Sequence, residues 1–156
     1  MPSKAAVSPE AQLKSFIGKF TPAMGVKIRA ARRAMRRLLP GALELVYDNY
    51  NFFVIGYGPS ERTSEAVFSL AAQASGLTLF FLQGVGLPDP DRLLKGAGNQ
   101  VRSVKLMDAA GLNSPALRAL MKAACKQAKA PLKKGGRHRL IIKSVSAKQR
   151  PRRAAP

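Results

Sequence analysis

The most hydrophobic run of the chain is Leu77, Thr78, Leu79, Phe80, Phe81 and Leu82. Six residues is strand length and far short of a membrane span. Before it, residues 65–70 alternate, with Ala66, Phe68 and Leu70 on one face. Gln73, Ala74, Ser75 and Gly76 have turn composition, so the two runs predict an antiparallel hairpin. Residues 101–106 alternate in the same way, with Val104 and Leu106 inward and Arg102, Ser103 and Lys105 outward. Two more strands, 44–47 and 52–57, flank the polar tip Asp48, Asn49, Tyr50 and Asn51.

A period of 3.6 governs the ends of the chain. Ser8 and Pro9 read as helix cap and first turn, and Leu13, Phe16, Ile17 and Phe20 form one apolar stripe. Thr21 and Pro22 repeat the signal. They open a helix to about Leu39 with Met24, Ile28, Ala31, Met35, Leu38 and Leu39 inward, stopped by Pro40 and Gly41. Ser114 and Pro115 open a third helix, with Leu117, Leu120, Met121, Ala124 and Ala128 buried, which ends before Pro131. Asp89 and Pro90 predict a helix of one or two turns up to Lys95, stopped by Gly96. These elements make an α+β fold. A largely antiparallel sheet of about five strands carries two N-terminal helices and one C-terminal helix on one face.

Composition adds one large fact. The chain has 27 Lys and Arg against 8 Asp and Glu, a formal charge of +19. A field of that sign attracts polyanions such as nucleic acid. Arg29, Arg33, Arg36 and Arg37 fan over the second helix, beside Arg32. From Lys133 onward the chain is acid-free, with Lys143, Lys148, Arg150, Arg152 and Arg153 among its cations. Leu140, Ile141 and Ile142 form an apolar island able to dock as an edge strand. Beyond Val145 too little is apolar to offset ordering entropy. The expectation is therefore a domain over 1–143 with a basic, mobile arm over 144–156, and a frayed end over 1–7. The arm has no interleaved aromatics for base stacking, so binding through it is sequence-independent.

Candidate chemistry is sparse. Cys125 is the single cysteine, which excludes an internal disulfide and fits a reducing compartment. The N-terminus has no signal-peptide core, and a cytoplasmic location is expected. His138, the single histidine, lies between Arg137 and Arg139, surroundings that disfavour its protonation and suit a solvated arm. Lys95, Gly96, Ala97, Gly98, Asn99 and Gln100 lack the ending of a P-loop. Asp48, Asn49 and Tyr50 at the hairpin tip, with Arg102 and Lys105, are the residues that would line a small-ligand pocket. No nucleophile constellation or acid–base pair is visible.

Several pieces together resemble the YdhG-like domain family. They are Phe16, Ile17, Gly18, Lys19 and Phe20; residues 44–51; residues 69–82; Leu87, Pro88, Asp89 and Pro90, with residues 94–98 after them; and the ending 140–153. The resemblance covers nearly the whole chain and implies an α+β fold with helices on one face of an antiparallel sheet. Some relatives are described as frataxin-like iron chaperones, which implies iron or a small ligand held by carboxylates. The closest acidic pairs here are Glu61 with Glu65 and Asp89 with Asp91. The leading functional expectation is a small binding module with a basic surface for polyanions and no cofactor. The alternative is an iron or small-ligand chaperone.

Overall fold

Every α-helix starts at a hydroxyl residue followed by proline. The computed structural model describes residues 7–133 and 135–154, so most of the expected frayed end, residues 1–6, lies outside the described residues. Helix α1 (Pro9–Gly18) has the Ser8 hydroxyl accepting the Ala11 amide at 3.1 Å. In α2 (Pro22–Leu38) Thr21 accepts from Met24 at 3.2 Å, and in α3 (Pro115–Gln127) Ser114 accepts from Leu117 at 3.3 Å. Each such cap stabilises its helix by about 1 kcal/mol, and proline fills the position whose amide has no partner.

Six strands form one sheet: β1 (Leu43–Asp48), β2 (Phe53–Gly58), β3 (Phe68–Gln73), β4 (Gly76–Phe81), β5 (Arg102–Leu106) and β6 (Leu140–Val145). Their spatial order is β5-β4-β3-β2-β1-β6. Every neighbouring pair is antiparallel except β1 with β6. The Leu140–Ile142 island is thus the start of a sixth strand at the sheet edge.

Register aligns one apolar row across the whole sheet. Ile142, Val46, Ile55, Leu70, Leu79 and Val104 are successive cross-strand partners, and all belong to the core under the helices. A one-residue slip in any strand would remove its member from this row. Phe16 and Phe20 of the α1 end pack against Phe53 with ring centroids 6.3 and 6.1 Å away. Phe68 meets Phe81 edge-on at 5.3 Å. The β3–β4 hairpin closes at the Gln73–Gly76 pair, around Ala74 and Ser75.

Two predicted elements change. The expected strand over 65–70 begins only at Phe68, because Thr63–Glu65 form a 3-10 turn whose Glu65 carboxylate takes the Ser60 hydroxyl. Val67 still bonds both neighbouring strands, to Tyr57 O and from Leu82 N. The helix expected after Pro90 does not form. Asp89 accepts the Leu93 and Leu94 amides as a cap would, but Arg92 is left-handed at φ 53° and turns the chain aside. Lys95 then exchanges both backbone bonds with Ser103, which satisfies the amides a short helix would have used.

The segment expected to form a mobile arm lies along the hairpin tip. Ser146 N bonds Asp48 O, Gln149 Nε2 bonds Asp48 O, and Arg150 N bonds Tyr50 O. Arg152 is only 5% exposed. The physical reason is a buried acid, Asp48, expected from sequence at the hairpin tip as a pocket residue. Among the described residues no helix is long and apolar enough to cross a membrane.

Candidate functional site

Strand alternation puts Glu44, Val46 and Asp48 of β1 on the helix-facing side. Two carboxylates therefore enter the core, and both are 0% exposed. A buried carboxylate is tolerated only when charges and donors surround it. Each of these two recruits a different part of the chain.

Glu44 is held by α2, β2 and the segment before β6. Arg32 Nε reaches both of its oxygens at 3.1 and 3.0 Å, and Nη2 reaches Oε1 at 2.8 Å. The same guanidinium forks onto Glu10 of α1 at 3.1 and 2.8 Å. Tyr57 donates its hydroxyl to Glu44 Oε2 at 2.9 Å. His138 Nε2 lies 2.6 Å from Oε1, while its Nδ1 faces Arg36 Nη2 at 3.3 Å. An arginine only donates, so Nδ1 accepts and Nε2 carries the proton shared with Glu44. Burial alone would push the Glu44 carboxyl up; the bonds and charge of Arg32, with His138 and Tyr57, outweigh it and hold it below its ordinary value. Burial beside that carboxylate pushes the Tyr57 phenol well up, which keeps it a donor. Arg32's bonds likewise hold Glu10 down.

His138 is thus no solvated arm residue. It is three-quarters covered and sits against a carboxylate, because the segment before β6 crosses the end of β1. Gly41 permits that crossing: a Cβ there would fall 2.0 Å from the Lys133 carbonyl oxygen.

Outside this network lies a cleft of about 330 Å³ lined by Arg33, Arg36, Arg37, Leu39, Pro40, Ala42, Tyr57 and His138. Spacing at 33, 36 and 37 places three guanidiniums on one face of the last turns of α2, where cations also suit the helix dipole. Among the described residues no carboxylate lines the cleft. Among the described residues Arg33 and Arg37 make no ion pair. Leu39 also lines a larger groove of about 980 Å³ between α2 and α3, with Met121, Cys125, Arg118, Lys122 and Lys126. Burial pushes the Cys125 thiol up, away from thiolate chemistry.

The sequence-derived ligand set is divided by the fold. Asp48 is closed off by Lys19 Nζ at 2.7 Å and Arg152 Nη2 at 3.0 Å. Asn49 accepts from the Ser144 hydroxyl and from Arg152, and the Tyr50 ring lies 5.6 Å from the Arg150 guanidinium. Arg102 and Lys105 sit on β5, with three strands between it and β1. Four strand spacings make that about 19 Å, so these five residues do not share a pocket.

The expected polyanion surface also separates. Arg29 folds over Gly25, in a depression shared with Glu10 and Arg32. Lys143 Nζ donates to Glu61 O, and Lys148, Arg150 and Arg153 stay exposed near the α1 C-terminus, where Arg153 Nε bonds Lys19 O. Arg152 leaves the set, since its guanidinium is internal and stacked 6.0 Å over Phe20. The acidic residues suggested for metal are each engaged locally: Glu61 by Arg139, Glu65 by Ser60, and Asp89 by two amides, with Asp91 exposed. Among the described residues no three His, Cys, Asp or Glu gather.

Sequence reasoning missed Glu44, Arg32, Tyr57 and Glu10. One signal was present: Glu44 stands in phase with Val46 on a predicted strand. Comparison with family models, curated proteins and solved structures finds no match.

Proposed function

We propose that this chain is a binding module of the YdhG-like type whose cationic surface engages polyanions such as nucleic acid. The observation that carries this reading is the convergence of Arg33, Arg36, Arg37 and His138 on one cleft with no lining carboxylate among the described residues. The net charge of +19 supports it, because attraction over a Debye length favours encounter with any phosphate polymer. Guanidinium contacts to backbone phosphate position a strand without reading its bases, so binding is sequence-independent.

The test is fluorescence anisotropy of a short RNA or DNA strand over a salt series. Neutralising about four phosphates gives a slope of log affinity against log salt of roughly −3 to −4. The triple variant Arg33→Gln, Arg36→Gln, Arg37→Gln flattens the slope by about two to three. A salt-independent signal, or an unchanged slope in the variant, removes the reading.

A further inference from the structure

We infer that the arginine cleft is a pocket for a phosphate monoester: the phosphorylated end of a strand, or a free mononucleotide. This rests on the polyanion reading and assigns the ligand of that same site. Size is the first argument. Small-ligand pockets run from roughly 300 to 1,000 Å³. At about 330 Å³ the cleft suits one nucleotide or less, not a track for a duplex.

Charge is the second argument. A monoester carries about −1.5 to −2 at neutral pH, whereas each phosphate within a strand carries one negative charge. Three guanidiniums with no carboxylate among the lining residues match the denser charge. Arg33 and Arg37 have no competing ion pair among the described residues.

The third argument is preorganisation. Arg36 is set by His138, His138 by Glu44, and Glu44 by Arg32 and Tyr57. The far end of that chain is buried, so the donor geometry exists before a ligand arrives and less ordering entropy opposes binding. Leu39, Pro40 and Ala42 give the apolar wall that a sugar or base would cover.

The experiment uses the full chain at fixed, moderate salt. Strands of one sequence, with a dye at the centre, carry a phosphate at one terminus or at neither. A nucleoside monophosphate and its unphosphorylated nucleoside serve as competitors. The phosphorylated strand binds about tenfold tighter, the effect of one added charge-assisted contact. Arg33→Gln, which removes no intramolecular partner, brings the ratio of affinities to about one; Arg36→Gln does the same.

Displacement by the monophosphate but not by the nucleoside points to free mononucleotide as a source. Equal affinity for both strands, with steep salt dependence intact, overturns the monoester pocket and leaves the polyanion reading standing. Silence in every arm overturns both.

Discussion

Glu44 shows how a single residue can fix an ion network. Replacing it with Gln leaves Arg32 largely covered with only Glu10 for charge. Loss of one partner in such a pair costs about 3 kcal/mol, and urea titration at pH 7 reads it directly. The pH dependence follows from the same carboxyl. It is held below its ordinary 4.5, so the folded state binds its proton less readily than the unfolded chain. Its contribution is complete above about pH 4.5 and is lost as pH falls through the folded value. Wild type therefore loses stability below pH 4.5, and Glu44→Gln loses Glu44's share of that limb while Glu10, also held down, keeps its own; parallel curves would remove Glu44 as a cause. Tyr57 works at the other end of the scale. Its phenol is raised well above 10.0, so the bond to Glu44 is present below pH 10 and lost as pH climbs through the folded value. These residues were hard to see because an acid at a core position violates the polar-outward pattern that strand reading depends on. The partners, at positions 10, 32, 57 and 138, come together only through tertiary folding.

At the level of elements, the helices and the β3–β4 hairpin were legible because local signals and tertiary burial agree there. Ser or Thr before Pro marks all three helix starts, and the run 77–82 could be satisfied only as a buried strand. The failures are places where a local signal was overruled. Asp89 does cap amides, but the left-handed Arg92 sends the chain to Ser103 instead of into a helix. A left-handed backbone costs a side chain about 1–2 kcal/mol, most for a β-branched one. The expected order of melting temperatures is Arg92→Gly at or above wild type, with Arg92→Val below it by the equivalent of about 1 kcal/mol. A Val variant as stable as wild type would mean that the turn has another conformation. The C-terminal segment is the larger lesson. Composition gave residues 146–153 nothing to bury, but Asp48 offered an ion pair and a carbonyl that accepts two bonds, with the Asn49 and Tyr50 carbonyls beside it. Arg152→Ala should cost about 2 kcal/mol, less than a full buried-pair break because Lys19 remains and two of Arg152's nitrogens lack partners among the described residues. Hydrogen exchange locates the effect: the Ser146 and Arg150 amides lose protection in the variant, while those of β3 and β4 keep theirs. Equal loss everywhere would show that the segment has no separate docking equilibrium.

For the molecule as a whole, the acids and the cations are distributed differently. Glu10, Glu44, Asp48 and Glu61 lie in ion pairs, and Glu65 and Asp89 accept from a hydroxyl and amides. That places most of the 8 acids in the service of folding and leaves the greater part of the 27 cations facing water. Such a surface repels itself, and screening relieves the repulsion, while the two buried carboxylate sites are shielded from salt. Added chloride therefore raises the melting temperature at neutral pH, contrary to a fold held by exposed salt bridges. Phosphate at equal ionic strength adds a second effect, because an anion bound only by the folded state stabilises it by mass action. At ten times its Kd that adds about 1.4 kcal/mol, or about 3–5 °C for a chain of this size. The increment of phosphate over chloride should vanish in Arg33→Gln with Arg36→Gln, while the chloride effect, which belongs to the whole surface, persists. If both salts act alike in wild type, the surface is a diffuse field and the cleft has no special hold on phosphate. If chloride lowers the melting temperature, exposed ion pairs contribute more to the fold than self-repulsion removes.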